Sequence, residues 1–125
     1  MNAVEKTNPE GNYIPVITRK EVARVYTNEI LYIEKELRVV NIYTRNRAYR
    51  FYGKLDDVTR YLDHNFYRCH KSCILNFEKI IRMNEGVFYF SEGMTLRVGL
   101  NNYRHTRSSY QKYLEENVQE ELGKR

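Results

Sequence analysis

Apolar residues recur along this chain in short runs, and most of the runs fit β-strands better than helices. Apolar patterns rich in β-branched and aromatic residues, interrupted by turn-forming residues, predict strands at 13–17, 21–26, 30–34, 38–44, 48–52, 79–83, 87–90 and 94–98. The run 30–34 is apolar on both faces, so it is expected at the centre of a sheet.

Two stretches have helical spacing instead. Leu55, Val58, Tyr61 and Leu62 fall near one face of a short helix predicted over 54–63. Residues 101–122 permit a second helix, whose rough apolar stripe consists of Tyr103, Tyr110, Tyr113, Leu114 and Val118. Because strands and helices do not alternate, the expected fold class is mainly β, with small antiparallel sheets, one short internal helix and a C-terminal helix.

The length of 125 residues is that of one domain. Residues 1–12 are polar and are predicted to be a flexible lead-in, 13–113 to form the domain, and 114–125 to be the acidic end of the C-terminal helix or a tail. Neither a signal peptide nor an apolar run of membrane-spanning length is apparent, which favours a cytoplasmic protein without a membrane partner.

The densest mixture of core-forming and ligand-reaching residues is the stretch 66–76, which reads Phe-Tyr-Arg-Cys-His-Lys-Ser-Cys-Ile-Leu-Asn. Its apolar ends predict core positions at Phe66, Tyr67, Ile74 and Leu75. Asn76 is expected to fix a turn through its side chain. Lys71 and Ser72, between the two apolar ends, are left to face outward.

Catalytic and metal chemistry find little support. The chain lacks a phosphate-binding loop, a dinucleotide-binding glycine pattern and a nucleophile elbow. Cys69 and His70 are neighbours on a strand, so their side chains point to opposite faces and cannot act as a nucleophile and its base. Cys69, His70 and Cys73 offer only three ligands, whereas structural zinc needs four. We therefore expect no enzymatic activity, no metal and no cofactor.

The two cysteines are expected to be packing residues. Their closeness to Lys71 raises the hypothesis that peroxide reversibly weakens ligand binding by this stretch.

Positive charge is concentrated in the middle of the chain. The whole chain carries a formal net charge of +5, and residues 36–112 hold 14 Lys and Arg against 7 Asp and Glu. The basic residues recur at predicted turns and strand ends, namely Arg38, Arg45, Arg47, Arg68, Lys71, Arg97, Arg104 and Arg107. Such a pattern fits both nucleic-acid binding and an ordinary solvated surface.

The arrangement resembles the LytTR family of bacterial DNA-binding domains over about residues 13–113. The most characteristic block is the stretch 66–76, with its aromatic pair, Arg-x-His-x-Ser, two apolar residues and Asn. The strand 30–34, the helix entry at 50–55, a strand at Ile80 and a late hairpin ending at Arg97 accompany it. Within the family, the chain is most similar to response regulators of peptide-pheromone and bacteriocin circuits.

The resemblance implies a DNA-binding transcription regulator that inserts loops into major grooves of paired direct repeats. It assigns the base contacts to Arg38, Lys71 and Asn101, and the backbone contacts to Ser72, Arg97 and Arg104. The family often has a cation-rich run where this chain has Gly99-Leu100-Asn101, so Arg104 or Arg107 is expected to supply that charge. His70 is expected to brace the loop, whereas Arg68 is compatible with structure or with DNA.

The implied partners are double-stranded DNA and either a second copy of the chain or a homologous LytTR regulator. Response regulators of the family carry a receiver domain, which this sequence lacks. The initial Met1 and the acidic end favour a standalone protein over an excised domain. The alternative function is that of a receiver-less interaction protein, which modulates a full-length LytTR regulator through a surface containing Tyr103, Tyr110 and Tyr113.

Overall fold

Ten strands and two helices make up the computed structural model, which describes residues 12–123. The strands are β1 (Tyr13–Ile17), β2 (Val22–Tyr26), β3 (Ile30–Glu36), β4 (Val39–Thr44), β5 (Ala48–Tyr52), β6 (Phe66–His70), β7 (Cys73–Asn76), β8 (Ile80–Asn84), β9 (Val87–Phe90) and β10 (Thr95–Arg97). The helices are α1 (Asp56–Thr59) and α2 (Leu100–Gly123). Single 3-10 turns lie at Thr27–Glu29, Phe77–Lys79 and Ser91–Gly93.

The strands form three antiparallel sheets. The central sheet has five strands in the order β5-β4-β3-β7-β6, and it is accompanied by the hairpin β1-β2 and by the three-stranded sheet β10-β9-β8. Strand β3 pairs with β4 on one side and with β7 on the other. The prediction of a mainly β fold with small antiparallel sheets is therefore confirmed, as is the central position of the run 30–34.

Two separate cores cover the two faces of the five-stranded sheet. One core joins Ile30, Ile33 and Ile74 of the sheet to residues of β1, β2 and α1. The other joins Leu31, Tyr32 and Leu75 of the sheet to residues of the three-stranded sheet and α2. A register shift between Ile30 and Tyr32 allows this division, because it interrupts the two-residue alternation of β3 and turns two consecutive residues toward the second core.

Helix α1 is much shorter than predicted. It spans four residues rather than the ten of 54–63, although Leu55 and Val58 are buried as the pattern predicted. The carboxylate of Asp57 accepts a hydrogen bond from the Lys54 N–H (2.8 Å), which helps to fix the start of the helix. Past Thr59 the chain continues in turns toward β6.

Only the first half of the stripe predicted on α2 is buried. Tyr103 and Tyr110 belong to the second core, and the Tyr113 hydroxyl donates to Oδ1 of Asn65 at 2.7 Å. Leu114 and Val118 are 44% and 54% exposed, so the apolar stripe continues beyond the part of it that is buried. Of the tyrosines named for the alternative interaction surface, Tyr103 and Tyr110 are core residues and do not form an exposed surface, whereas Tyr113 is half-buried.

The expected lead-in at 1–12 lies, apart from Asn12, outside the described residues. The expected acidic end begins inside α2, where Glu115 and Glu116 are exposed on the helix.

Asn76 links three segments of the chain, as its predicted role in a turn requires. Its side chain is 1% exposed and donates to the Ile30 carbonyl at 2.8 Å. The same amide accepts a hydrogen bond from the Glu78 N–H at 3.1 Å, which caps the 3-10 turn that follows β7. The nitrogen and the oxygen of the Asn76 side chain are therefore both hydrogen-bonded, as a buried amide requires.

We expect Asn76→Ala to lower the free energy of unfolding by about 2 kcal/mol, because it leaves the buried Ile30 carbonyl without its donor. Urea denaturation followed by circular dichroism measures the change. Asn46→Ala, in the exposed β4–β5 turn, is the matched control and should change stability by less than about 0.5 kcal/mol. Equal losses in the two variants would contradict a structural role for the Asn76 amide.

Candidate nucleic-acid interface

Two tight turns project from one end of the five-stranded sheet. The β3–β4 turn consists of Leu37 and Arg38, and the β6–β7 turn consists of Lys71 and Ser72. Because β3 and β7 are neighbouring antiparallel strands, the end of β3 lies beside the start of β7. The Lys35 N–H, near the end of β3, donates to the Ser72 carbonyl in the β6–β7 turn at 2.8 Å. The sheet thus brings Arg38, Lys71 and Ser72 to one edge.

Two hydrogen bonds to its backbone carbonyls hold the β3–β4 turn in shape. The Lys35 ammonium donates to the Leu37 carbonyl at 2.5 Å, and the Gly53 N–H donates to the Arg38 carbonyl at 3.0 Å. Arg38 itself is exposed, and its guanidinium makes no ion pair with any residue between 12 and 118. The sequence pattern placed Arg38 in a strand, but it lies in the turn before β4. Its exposed guanidinium is available to an external partner.

The β6–β7 turn is braced from both sides. The Arg68 guanidinium donates to the Lys71 carbonyl and to Oδ1 of Asp56, each at 2.8 Å. The Ser72 N–H donates to Nδ1 of His70 at 3.1 Å, which confirms the bracing role expected of His70. Arg68 is committed to the protein's own structure, whereas the Lys71 side chain is exposed. The 66–76 stretch is therefore a hairpin with an outward-facing two-residue turn.

The start of α2 lies near the same end of the sheet. Asn102 hydrogen-bonds the thiol of Cys69, which precedes the β6–β7 turn. Asn101 therefore lies in the first turn of a helix beside that hairpin, where the sequence predicted the helix to begin. The helix begins early because the Tyr103 N–H already bonds to the Gly99 carbonyl at 2.8 Å.

Asn101, Arg104 and Arg107 follow at intervals of three residues, so they lie along one side of α2. All three are exposed, on a side of the helix other than the one that buries Tyr103 and Thr106. Arg97 is the last residue of β10 and is exposed as well. Two residues separate it from the helix. With a rise of about 1.5 Å per residue, the stripe from Asn101 to Arg107 extends about 9 Å along the helix.

Basic residues at the opposite end of the sheet are engaged within the protein. Arg45, in the β4–β5 turn, forms an ion pair with Glu92 at 2.9 Å. Arg47 binds both carboxylate oxygens of Glu21, at 2.6 and 3.1 Å, and stacks over the Tyr49 ring. Apart from Arg68, which pairs with Asp56 beside the β6–β7 turn, the basic residues that the sequence presented as one series therefore fall into two groups. Only one of these groups faces outward without an acidic partner among the described residues.

Two further cations belong to the outward group and were not singled out from the sequence. Lys35 and Lys54 line an open surface groove with Arg38, Tyr52 and Gly53. Lys54 follows β5, whose end is bonded to the β3–β4 turn. The predicted pairing of strands 38–44 and 48–52 could have indicated that Lys54 lies near Arg38, since it brings residue 53 next to residue 38.

None of the described helices combines the length and the apolar character that crossing a bilayer requires. Within the described part of the chain, no three His, Cys, Asp or Glu side chains gather closely enough to hold a metal ion.

The described chain is thus a domain of small antiparallel sheets with exposed basic turns at one end of its central sheet. The family model of the LytTr DNA-binding domain matches residues 20–117. The chain therefore belongs to the LytTR family of DNA-binding domains, as the resemblance indicated. No curated protein sequence matches the chain.

Among solved structures, the fold is similar to the LytTr DNA-binding domain of a protein described as a methyl-accepting/DNA response regulator from Bacillus cereus. The sequences are 17% identical, the TM-score is 0.59, and the match covers 86% of this chain and 96% of that one. At this identity the similarity concerns the fold.

Cys69 and Cys73 are buried in the second core, at 4% and 5% exposure. The Cys69 Sγ lies 3.7 Å from the Cys73 carbonyl oxygen and is oriented to donate to it. A hydrogen bond between the thiols lowers the pKa of Cys69, and the same bond together with burial raises the pKa of Cys73 far above its ordinary value. Cys73 is therefore a protonated packing residue at neutral pH.

We expect both thiols to react far more slowly with a disulfide reagent such as DTNB in the native protein than in guanidinium, since the reagent must reach a buried thiolate. Because the pKa of Cys73 is raised, its native reactivity should stay low from pH 7 to pH 9, and any residual native reaction should disappear in Cys69→Ser. Absorbance of the released reagent gives the rates. A fast native reaction of two thiols would contradict the packing role.

Proposed function

We propose that this chain is a sequence-specific transcriptional regulator that binds double-stranded DNA in the manner of the LytTR family. The observation that carries the proposal is the separation of the basic residues into two groups. Those at the β4–β5 end pair with Glu21 and Glu92, whereas Arg38 and Lys71 project from adjacent turns with no acidic partner in the described chain. Exposed cations held on rigid turns suit a polyanionic ligand.

The chemistry of the turn residues suggests how they divide the contacts. Arg38 and Lys71 can donate to the O6 and N7 atoms of guanine, and Asn101 can pair with adenine. The contacts to the sugar–phosphate backbone are assigned to Ser72, Arg97, Arg104 and Arg107. Hydroxyls and cations that bind the backbone orient the protein on the duplex but carry no sequence information. Arg68 and His70 serve this interface indirectly, because they hold the Lys71-Ser72 turn in place.

Family membership and the basic end of the sheet support a further part of the proposal. Two copies, or one copy and a homologous LytTR regulator, would occupy paired direct repeats on one side of the duplex. The protein would act in the cytoplasm as a regulator without enzymatic activity of its own, in a circuit of the peptide-pheromone or bacteriocin type that the resemblance suggests.

Selection of bound sequences from a random duplex pool tests the proposal and supplies the specific site. On that site, Arg38→Ala should raise Kd roughly 5- to 150-fold, or about 1–3 kcal/mol, and should relax the preference at one base pair. Fluorescence anisotropy with specific and random duplexes measures the change. Arg45→Ala is the matched control at the far end of the same hairpin, and it should leave both affinities nearly unchanged.

Equal loss on specific and random duplexes would make Arg38 a phosphate contact. Failure of the wild-type protein to enrich any sequence would overturn sequence-specific binding altogether.

Arg104→Ala should weaken binding to all duplexes alike, because a contact to phosphate is indifferent to sequence. The slope of log Kobs against log salt should fall in magnitude by about 0.9, the change expected when one phosphate contact is lost. Titrations at several salt concentrations between about 50 and 200 mM give the slope. An unchanged slope would remove Arg104 from the interface, and Arg45→Ala again serves as the variant of equal charge change.

A further inference from the structure

Leu37 is an anomaly in the β3–β4 turn. It is 86% exposed, the highest value among the exposed large apolar residues. Its φ of +58° lies in the left-handed region, which a bulky residue rarely adopts and where hairpin turns favour glycine or asparagine. Neither its exposure nor its backbone conformation is what folding alone would select at this position.

The other non-glycine residues with positive φ differ from Leu37. Glu92 forms an ion pair with Arg45, and Glu85 is a polar residue in a turn with Gly86. Among residues 12–123, Leu37 is the one non-glycine residue with positive φ that presents an apolar side chain to solvent. Strain and exposure that coincide at one residue point to a function of its side chain outside the fold.

The surroundings of Leu37 identify the chemistry of the partner. Arg38 is its neighbour in the turn, and Lys35 and Lys54 line the groove beside Arg38. A leucine that is followed by Arg38 and whose carbonyl binds the Lys35 ammonium suits a polyanion that carries apolar groups at intervals better than it suits the apolar surface of another protein. In the major groove of DNA, the C5 methyl group of thymine is such a group.

We propose that Leu37 contacts the C5 methyl group of a thymine in the major groove, beside the base pair that Arg38 reads. The inference rests on the proposed DNA-binding function and adds a residue that determines specificity. The Lys35 and Gly53 contacts to the turn carbonyls hold Leu37 and Arg38 in a fixed relative position. The turn therefore distinguishes a thymine next to the base pair of Arg38 from cytosine, which lacks the methyl group.

Deoxyuridine substitution isolates this contact, because it removes only the methyl group of a thymine. Each thymine of the selected duplex is replaced in turn, and Kd is measured by fluorescence anisotropy for the wild-type protein, Leu37→Gly and Leu37→Asn. Both variants are compatible with positive φ. Urea denaturation should show them to be at least as stable as the wild type, which separates a loss of binding from a loss of folding.

We expect one thymine in each repeat at which deoxyuridine weakens wild-type binding about three- to fivefold, as for the removal of one buried methyl group. Leu37→Gly and Leu37→Asn should lose a similar factor on the thymine duplex and should show no further loss with deoxyuridine. Val22→Ala is the control, since Val22 is 78% exposed near Glu21, which pairs with Arg47 at the other end of the sheet. This variant should retain the wild-type sensitivity to deoxyuridine.

Two results would overturn the inference while leaving the proposed function intact. One is wild-type binding that is insensitive to deoxyuridine at every position. The other is sensitivity that persists undiminished in both Leu37 variants. A Leu37 wedge that unstacks bases would produce the first result, because it does not need the methyl group. Failure to bind any duplex would overturn the proposed function and this inference together.

Discussion

The pairing of β3 with β4 on one side and β7 on the other is the constraint on which the interface depends. Because both pairings are antiparallel, the turn that leaves β3 and the turn that enters β7 must lie at the same end of the sheet. A slip of one residue would turn Ile33 and Ile74 away from the first core and would separate Lys35 from the Ser72 carbonyl. The apolar residues that fix the register therefore also fix the relative position of Arg38 and Lys71.

Bracing and binding are divided among neighbouring residues of the 66–76 hairpin. Arg68 connects the Lys71 carbonyl to Asp56 at the start of α1, and His70 accepts from the Ser72 N–H. These contacts fix the backbone of the turn before any ligand arrives, so binding does not have to order it. Arg68 thus serves the candidate site by holding the turn that carries Lys71, and its guanidinium is not left for a ligand.

The sequence was sufficient for local features, but not for long-range partners. Periodicity predicted the strands because each pattern lies within a few residues. It could not show that Arg47 pairs with Glu21 or Arg45 with Glu92, since these partners are 26 and 47 residues away. The apolar stripe of α2 continues to Val118 by the same periodicity, yet burial also requires an opposing surface, and Leu114 and Val118 remain 44% and 54% exposed.

Folding and binding place different demands on the β3–β4 turn. At a φ of +58° a leucine costs about 1–2 kcal/mol relative to a residue without a Cβ. The surroundings nevertheless impose this conformation. The turn carbonyls are held by Lys35 and Gly53. Gly53 is itself hard to replace, because a Cβ there would lie 2.9 Å from the Phe51 ring and 2.8 Å from Asp57. The neighbouring residues thus determine the backbone of the turn. The fold does not require a leucine at position 37, so this residue can be selected for the contact that its side chain makes with a ligand.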